Sequence, residues 1–492
     1  MKRESGILLH PTSLPGKYGI GSLGSQSRWF VDWLSVHGQK VWQILPLNPT
    51  GFNHSPYQCY SAFAGNPNLI DLDEFVSSGY LETDDLSTIP HFSSHRVDFT
   101  GAIEFRGPLL QKAFIRFRET GGFGLPEYMQ FWNEHAWWLD SYSLFYACHK
   151  NLKGKNWNDW EEALATRTEG ALHFYFRHFR EDVEYQRFVQ FVFFRQWFAL
   201  KQYANEKGVQ ILGDIPLYVL YDSADVWANQ DLFMLDEKRT PVKVGGVPPD
   251  YFSETGQRWG NPLYNWERMK ERGFDWWMAR IHFNLKMFDR VRIDHFRGLK
   301  SFWAIPYSEK TAVKGEWLPA MGDELFRILR DHLGNLPIIA EDLGTITDEV
   351  HALRKKYGFP GMKVLQFAFE SGSDNEYLPH NYETDFVVYT GTHDNNTTRG
   401  WWKSLKTDER REALPYLPNP KEEKHWQLIR LALSSVAETA IIPFQDVLGL
   451  GERARMNTPG TVDGNWNWRF TQRELHRHHG EKLLKLTRLY AR

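Results

Sequence analysis

Cysteine is almost missing: the 492 residues hold only Cys59 and Cys148. One possible pair cannot serve as a disulfide framework, so a reducing compartment is the natural reading. No run of about 20 apolar residues occurs, so no segment is long enough to cross a bilayer as a helix. The opening M-K-R-E-S-G-I-L-L-H-P offers only three consecutive apolar residues before His10, too few for a secretory signal. An excess of one charge is missing too. Lys and Arg total 58 against 61 Asp and Glu, a net charge of −3, which gives no electrostatic basis for binding nucleic acid or an anionic membrane. No low-complexity linker or repeat divides the chain. Together these point to a cytoplasmic protein with no nucleic-acid or membrane partner.

Several catalytic signatures are also lacking. There is no G-x-x-x-x-G-K-[ST] phosphate loop, no G-x-S-x-G elbow and no H-E-x-x-H or Cys/His zinc spacing. His295 and His393 therefore suit hydrogen bonds, including bonds to sugar hydroxyls, better than a metal, and no metal or cofactor is expected. Gly19–Gly24 does contain G-x-G-x-x-G. Without the βαβ unit and acidic residue of a dinucleotide site, it is best taken as a strand-to-helix loop.

What is abundant is aromatic: 21 Trp, 21 Tyr and 34 Phe, or 15% of the chain. A core this large absorbs most of them. Others, such as Tyr251, Phe252, Trp259, Trp466 and Trp468, fall in polar, Gly/Pro-rich stretches, where a ring can stack on the C–H face of a sugar. Short, continuously apolar runs recur as well, and these read as parallel strands buried on both faces. They are Gly6–Leu9, Val41–Leu45, Gln210–Leu217, Val291–Ile293, Ile338–Ala340, Met362–Phe369, Phe386–Tyr389 and Ala440–Phe444. Amphipathic helical stretches such as Glu324–Leu333 and Thr347–Lys356 lie between them. Eight strands alternating with helices predict a TIM (β/α)8 barrel. The whole chain, 1–492, is expected to be one catalytic barrel without a C-terminal β-sandwich. Large, mainly helical insertions are expected on its catalytic face, at about 50–205 and about 220–285.

Acidic residues follow three of these strands, Asp294 in V-R-I-D-H-F, Glu341 with Asp342 in I-I-A-E-D-L-G, and Asp394 after His393 in G-T-H-D-N-N, and a fourth acid, Asp214, ends a strand in I-L-G-D-I-P. One acid at a strand end is ordinarily a helix cap or an ion-pair partner. Strand ends of a barrel converge on one mouth, however, and gathering several carboxylates there costs several kcal/mol in repulsion and desolvation. Chemistry on a glycosidic bond uses such a set: a nucleophile, an acid/base of raised pKa, and a further charge facing an oxocarbenium-like transition state. Arg292, two residues before Asp294, supplies the compensating cation.

At these residues the sequence closely resembles the 4-α-glucanotransferases, or amylomaltases, of glycoside hydrolase family 77 in the α-amylase superfamily. The resemblance runs from H-P-T-S-L-P-G and S-P-Y-Q to G-N-W-N-W-R and takes in G-D-I-P-L-Y-V, V-R-I-D-H-F-R-G, A-E-D-L-G and G-T-H-D-N. It implies Asp294 as nucleophile, Glu341 as acid/base and Asp394 as transition-state stabiliser. Around them it implies substrate contacts from Tyr57, Asp214, Arg292, Asp342, His393 and Asn465, and from Tyr251, Phe252, Gln257 and Trp259 in the P-P-D-Y-F-S-E-T-G-Q-R-W-G-N-P loop. Asn396 stands where many relatives carry Asp. The activity implied is retaining transfer of α-1,4-glucan segments from maltodextrins, themselves derived from starch or glycogen, to glucose or another maltodextrin. Hydrolysis of intracellular α-1,4-glucans uses the same carboxylates and is the alternative, while a non-catalytic glucan-binding barrel is disfavoured by the intact acids.

Overall fold

The computed structural model describes residues 3–249 and 253–492. Eight parallel strands form its centre: β1 (Glu4–Leu8), β2 (Val41–Gln43), β3 (Gln210–Ile215), β4 (Arg290–Ile293), β5 (Ile338–Ala340), β6 (Gly361–Val364), β7 (Phe386–Tyr389) and β8 (Thr439–Pro443). They pair in the order 6-7-8-1-2-3-4-5. Between β5 and β6 the ring is joined by the Ala340 amide donating to the Pro360 carbonyl at 2.9 Å, and by the Met362 amide donating to the Asp342 carboxylate at 2.7 Å. This is the (β/α)8 barrel, and each of the eight apolar runs contributes one of its strands.

The strands are apolar on both faces because both are covered. Leu8, Val41, Leu212, Ile339, Met362, Val387, Tyr389 and Ile441 form one cluster inside the ring. Their neighbours Ile7, Trp42, Ile211, Val291, Ile338, Val388 and Ile442 join the larger core outside it. Five runs extend past their strands: Gly6–Leu9 and Ala440–Phe444 by one residue, Val41–Leu45 and Gln210–Leu217 by two, and Met362–Phe369 by five. Beyond Ile215 the chain leaves the sheet, and after Val364 it winds into a 3-10 turn at Leu365–Phe367. Continuous apolarity marks burial, not where pairing stops.

Long helices fill the chain between β2 and β3, among them Phe99–Glu119, Pro126–Asn151 and Arg180–Glu206. The stretch between β3 and β4 holds helices too, but also strands Lys243–Val247 and Gln257–Pro262. These join Ser301–Pro306 and Glu316–Pro319 in a four-stranded antiparallel sheet. Alternation was too weak to show this sheet in sequence: V-G-G-V places two side-chain-free positions where a period of two would be read, and half the sheet comes from beyond β4.

Candidate active site

Register decides which polar groups meet. Asp214 on β3 is the direct partner of Arg292 on β4, so both point to the same side of the sheet. Asp294, two residues on, keeps that direction. The Arg292 side chain, 4% exposed, is the hub. Its Nε and Nη2 donate to the two Asp214 carboxylate oxygens at 3.0 and 2.8 Å. Nη2 also donates to Asp294 Oδ1 at 2.9 Å and to the Tyr57 hydroxyl oxygen at 3.1 Å, and that hydroxyl donates to Asp214 Oδ2 at 2.6 Å. A planar guanidinium can satisfy several oxygens at once in fixed directions, which lysine cannot. Burial, then the charge of Asp214, keeps the Tyr57 phenol well above its ordinary pKa and thus neutral.

Just past Asp294 the backbone of His295 takes the left-handed conformation (φ 52°, ψ 49°), a choice costing about 1–2 kcal/mol for a side chain with a Cβ. The turn aims the His295 amide at Glu341 Oε2, 2.6 Å away, while the Leu343 amide donates to Oε1 at 3.1 Å. Asp294 and Glu341 are thereby held side by side. Burial pushes Glu341 up to about 7, against Arg292 and the two amides. Burial also raises Asp294, with Glu341, Asp214 and Asp394 acting in the same direction and Arg292 opposing. A third of the Asp294 side chain remains open at 33% exposure, and solvent sides with Arg292 in favouring its charge.

Asp394 approaches from the loop after β7, 45% exposed. Asn457 Nδ2 donates to its Oδ1 at 2.6 Å, and His393 Nε2 lies 3.4 Å from Oδ2. The His393 ring stacks on Tyr57 with centroids 5.2 Å apart, and Trp466 leans on both rings. Three imidazoles near the mouth are held neutral by burial: His393 is lowered, and His10 and His295 fall to about 3. Neutral rings suit hydroxyls rather than anions. A pocket opens against His393, lined by His10, Thr392, Asn395, Gln445 and Arg455 among others.

Other expected contacts fall less directly. Trp259 meets the His295 ring edge-on at 4.8 Å, and its indole N–H donates to Gln257 Oε1 at 3.2 Å, so both border the mouth. Asn465 spends its amide on its own loop, accepting from the Thr458 amide and donating to the Thr461 carbonyl. Tyr251 and Phe252 lie outside the described residues. Asp342 does not join the set. It is 5% exposed, accepts from the Met362 amide and pairs with Arg354 at 3.3 Å. Adjacent residues leaving a strand face opposite ways, so with Glu341 in the mouth, Asp342 turns into the wall and joins the barrel seam instead of touching substrate. Asn457 and Arg455 were missed in sequence. The signal available was their position: polar residues in the segment after the eighth strand, at the barrel end where sites form.

The family model for 4-α-glucanotransferase matches residues 9–474. The chain belongs to the 4-α-glucanotransferase family. A 4-α-glucanotransferase of Synechocystis sp. is 50% identical over 496 residues, covering 100% of this chain and 98% of that one. The 4-α-glucanotransferase of Thermus thermophilus is 48% identical over 495 residues, covering 98% of each. Among solved structures, an amylomaltase from Streptococcus agalactiae in complex with acarbose superposes with a TM-score of 0.96 at 41% identity, covering 100% of both chains. Among the described residues no helix is long and apolar enough to cross a membrane.

Proposed function

We propose that this family member remodels maltodextrins by retaining double displacement, with Asp294 as nucleophile, Glu341 as acid/base and Asp394 as transition-state stabiliser. The observation that carries the reading is the Arg292 hub. It binds Asp294 directly and makes it the better seat for negative charge, while Glu341, pushed to about 7, holds the proton of the pair. In the first step Asp294 attacks the anomeric carbon, the glycosidic C–O bond breaks, and Glu341 gives its proton to the departing 4-oxygen. In the second, Glu341 takes the proton of an incoming 4-hydroxyl as that oxygen displaces Asp294 and restores the α-1,4 bond. Asp394 faces the positive charge developing on the sugar in both steps. Arg292, Asp214, Tyr57 and His393 surround the reacting sugar, with Gln257 and Trp259 along the bound chains.

Donors are maltodextrins derived from starch or glycogen; acceptors are glucose or other maltodextrins. The names of the relatives and the acarbose bound by the S. agalactiae amylomaltase support this substrate class. Residues 1–492 act as one catalytic barrel whose insertions, about 50–205 and about 220–285, shape the mouth. A cytoplasmic setting fits the two buried free thiols, Cys59 and Cys148. The test is incubation with maltotriose, with products resolved by length and total reducing ends followed. A ladder of longer chains plus glucose at constant reducing ends supports transfer. Rising reducing ends with only shorter products would make the protein a hydrolase, and near-normal turnover in Asp294→Asn would sink the nucleophile assignment.

A further inference from the structure

The loop that carries His393 and Asp394 is held by the segment that follows β8. At its base, Asp446 is buried and accepts from the hydroxyls of Thr390 and Thr398, both at 2.6 Å, and from the Thr398 amide at 2.7 Å. One carboxylate thus staples the two ends of the loop together. At its tip, Arg455 Nη2 donates to the Asp394 carbonyl at 2.6 Å and its Nε to the Asn457 carbonyl at 2.7 Å. The Asn457 amide donates to the His393 carbonyl at 3.0 Å, and its side chain to Asp394 Oδ1 at 2.6 Å. These bonds close a ring through Arg455, Asp394, His393 and Asn457, tying both the backbone and the carboxylate of Asp394. Burial lowers the Arg455 pKa, and the charge of Asp394 is the first influence that restores it. Both of its hydrogen bonds nevertheless go to neutral carbonyls. A partly buried guanidinium with such an assignment fixes geometry: its fork spans two carbonyls at a set angle.

We propose that Arg455 is a positioning residue for glucosyl transfer, holding Asp394 where its carboxylate faces the reacting sugar. The inference rests on the role given to Asp394 above. Arg455 acts through Asp394 and Asn457 and need not touch substrate. Because a displacement of 1 Å can cost about 10²-fold in rate, Arg455→Met is expected to lower kcat by about tenfold to a hundredfold while KM changes little. Arg455→Lys, which can reach one carbonyl but not both, falls between.

The experiment is a double-mutant cycle read on α-maltosyl fluoride with maltose as acceptor, the activated donor keeping slow variants measurable. Wild type, Arg455→Met, Asp394→Asn and the double variant are compared, with thermal unfolding of each. If Arg455 works through the Asp394 carboxylate, its loss costs much less in the Asp394→Asn background than in wild type. An equal loss in both backgrounds, or a wild-type kcat in Arg455→Met, overturns the proposal. If Arg455→Met does not fold, Arg455→Lys enters the same cycle with the same criteria. A wild type that builds no ladder from maltotriose overturns the function reading itself, whereas an active wild type with additive losses overturns only the role of Arg455.

Discussion

Replacing Glu341 by Gln should change the stability of the fold in a way that depends on pH, and the sign follows from the site. Glu341 rises from 4.5 to about 7 on folding. Between those values the folded state holds a proton that the unfolded chain has released, so stability falls as pH rises through this window and levels off above about 7. At 1.36 kcal/mol per pKa unit the full cost approaches about 3 kcal/mol. Glu341 retains some solvent contact, so about 2 kcal/mol between pH 5 and pH 8 is the reasonable figure. Gln carries no such penalty, but it can accept only one of the two amides, from His295 and Leu343, that the carboxylate now satisfies. Leaving one buried N–H without a partner costs about 1–3 kcal/mol at every pH. The variant should therefore be less stable than wild type at pH 5 and gain about 2 kcal/mol on it by pH 8. Removing one of the charges that raise Asp294 adds in the same direction. Urea unfolding at both pH values, extrapolated to water, measures the difference. A gap between variant and wild type that does not move with pH would refute the claim that burial holds a proton on Glu341.

The same shift governs catalysis: kcat/KM for maltotriose should fall about tenfold per pH unit above about 7 as Glu341 loses its proton, and a rate flat to pH 9 would contradict this. Arg292→Met leaves Asp214 and Asp294 without their cation; a loss of at least about 10³-fold in kcat and about 3–5 kcal/mol in stability is expected, read by disproportionation and urea unfolding. Asp342→Asn should cost stability, about 1–3 kcal/mol from its weakened contacts with Arg354 and the Met362 amide, yet leave KM for maltotriose within about twofold by the same reasoning. A large KM change there would restore Asp342 to the substrate site.

Much of this molecule is readable in its residues, because the chemistry repeats on a scale the sequence can hold. Each barrel strand is a short run buried on both faces; Asp294 and Glu341 directly follow such a run, Asp394 stands a few residues beyond one, and Asp214 is near the C-terminal end of β3. The barrel rule then sends all four to one mouth. The four-stranded sheet and the stretch after β8 were not readable in the same way. The first has glycines where alternation would be sought, and in the second Arg455 and Asn457 are ordinary polar residues in a loop.

What the sequence determined by itself is the class of fold, the family and which acids lie at the strand ends, since these depend on local burial patterns and on motifs contiguous in the chain. The tertiary structure decided which neighbours count. Asp342 is one residue from Glu341 yet belongs to the wall, because consecutive side chains leave a strand on opposite sides. Asn457 is 63 residues from Asp394 yet bonds to it at 2.6 Å, because closing the barrel brings the segment after β8 against the loop after β7. Pairing across that distance depends on register and ring closure, which no single stretch of the chain contains.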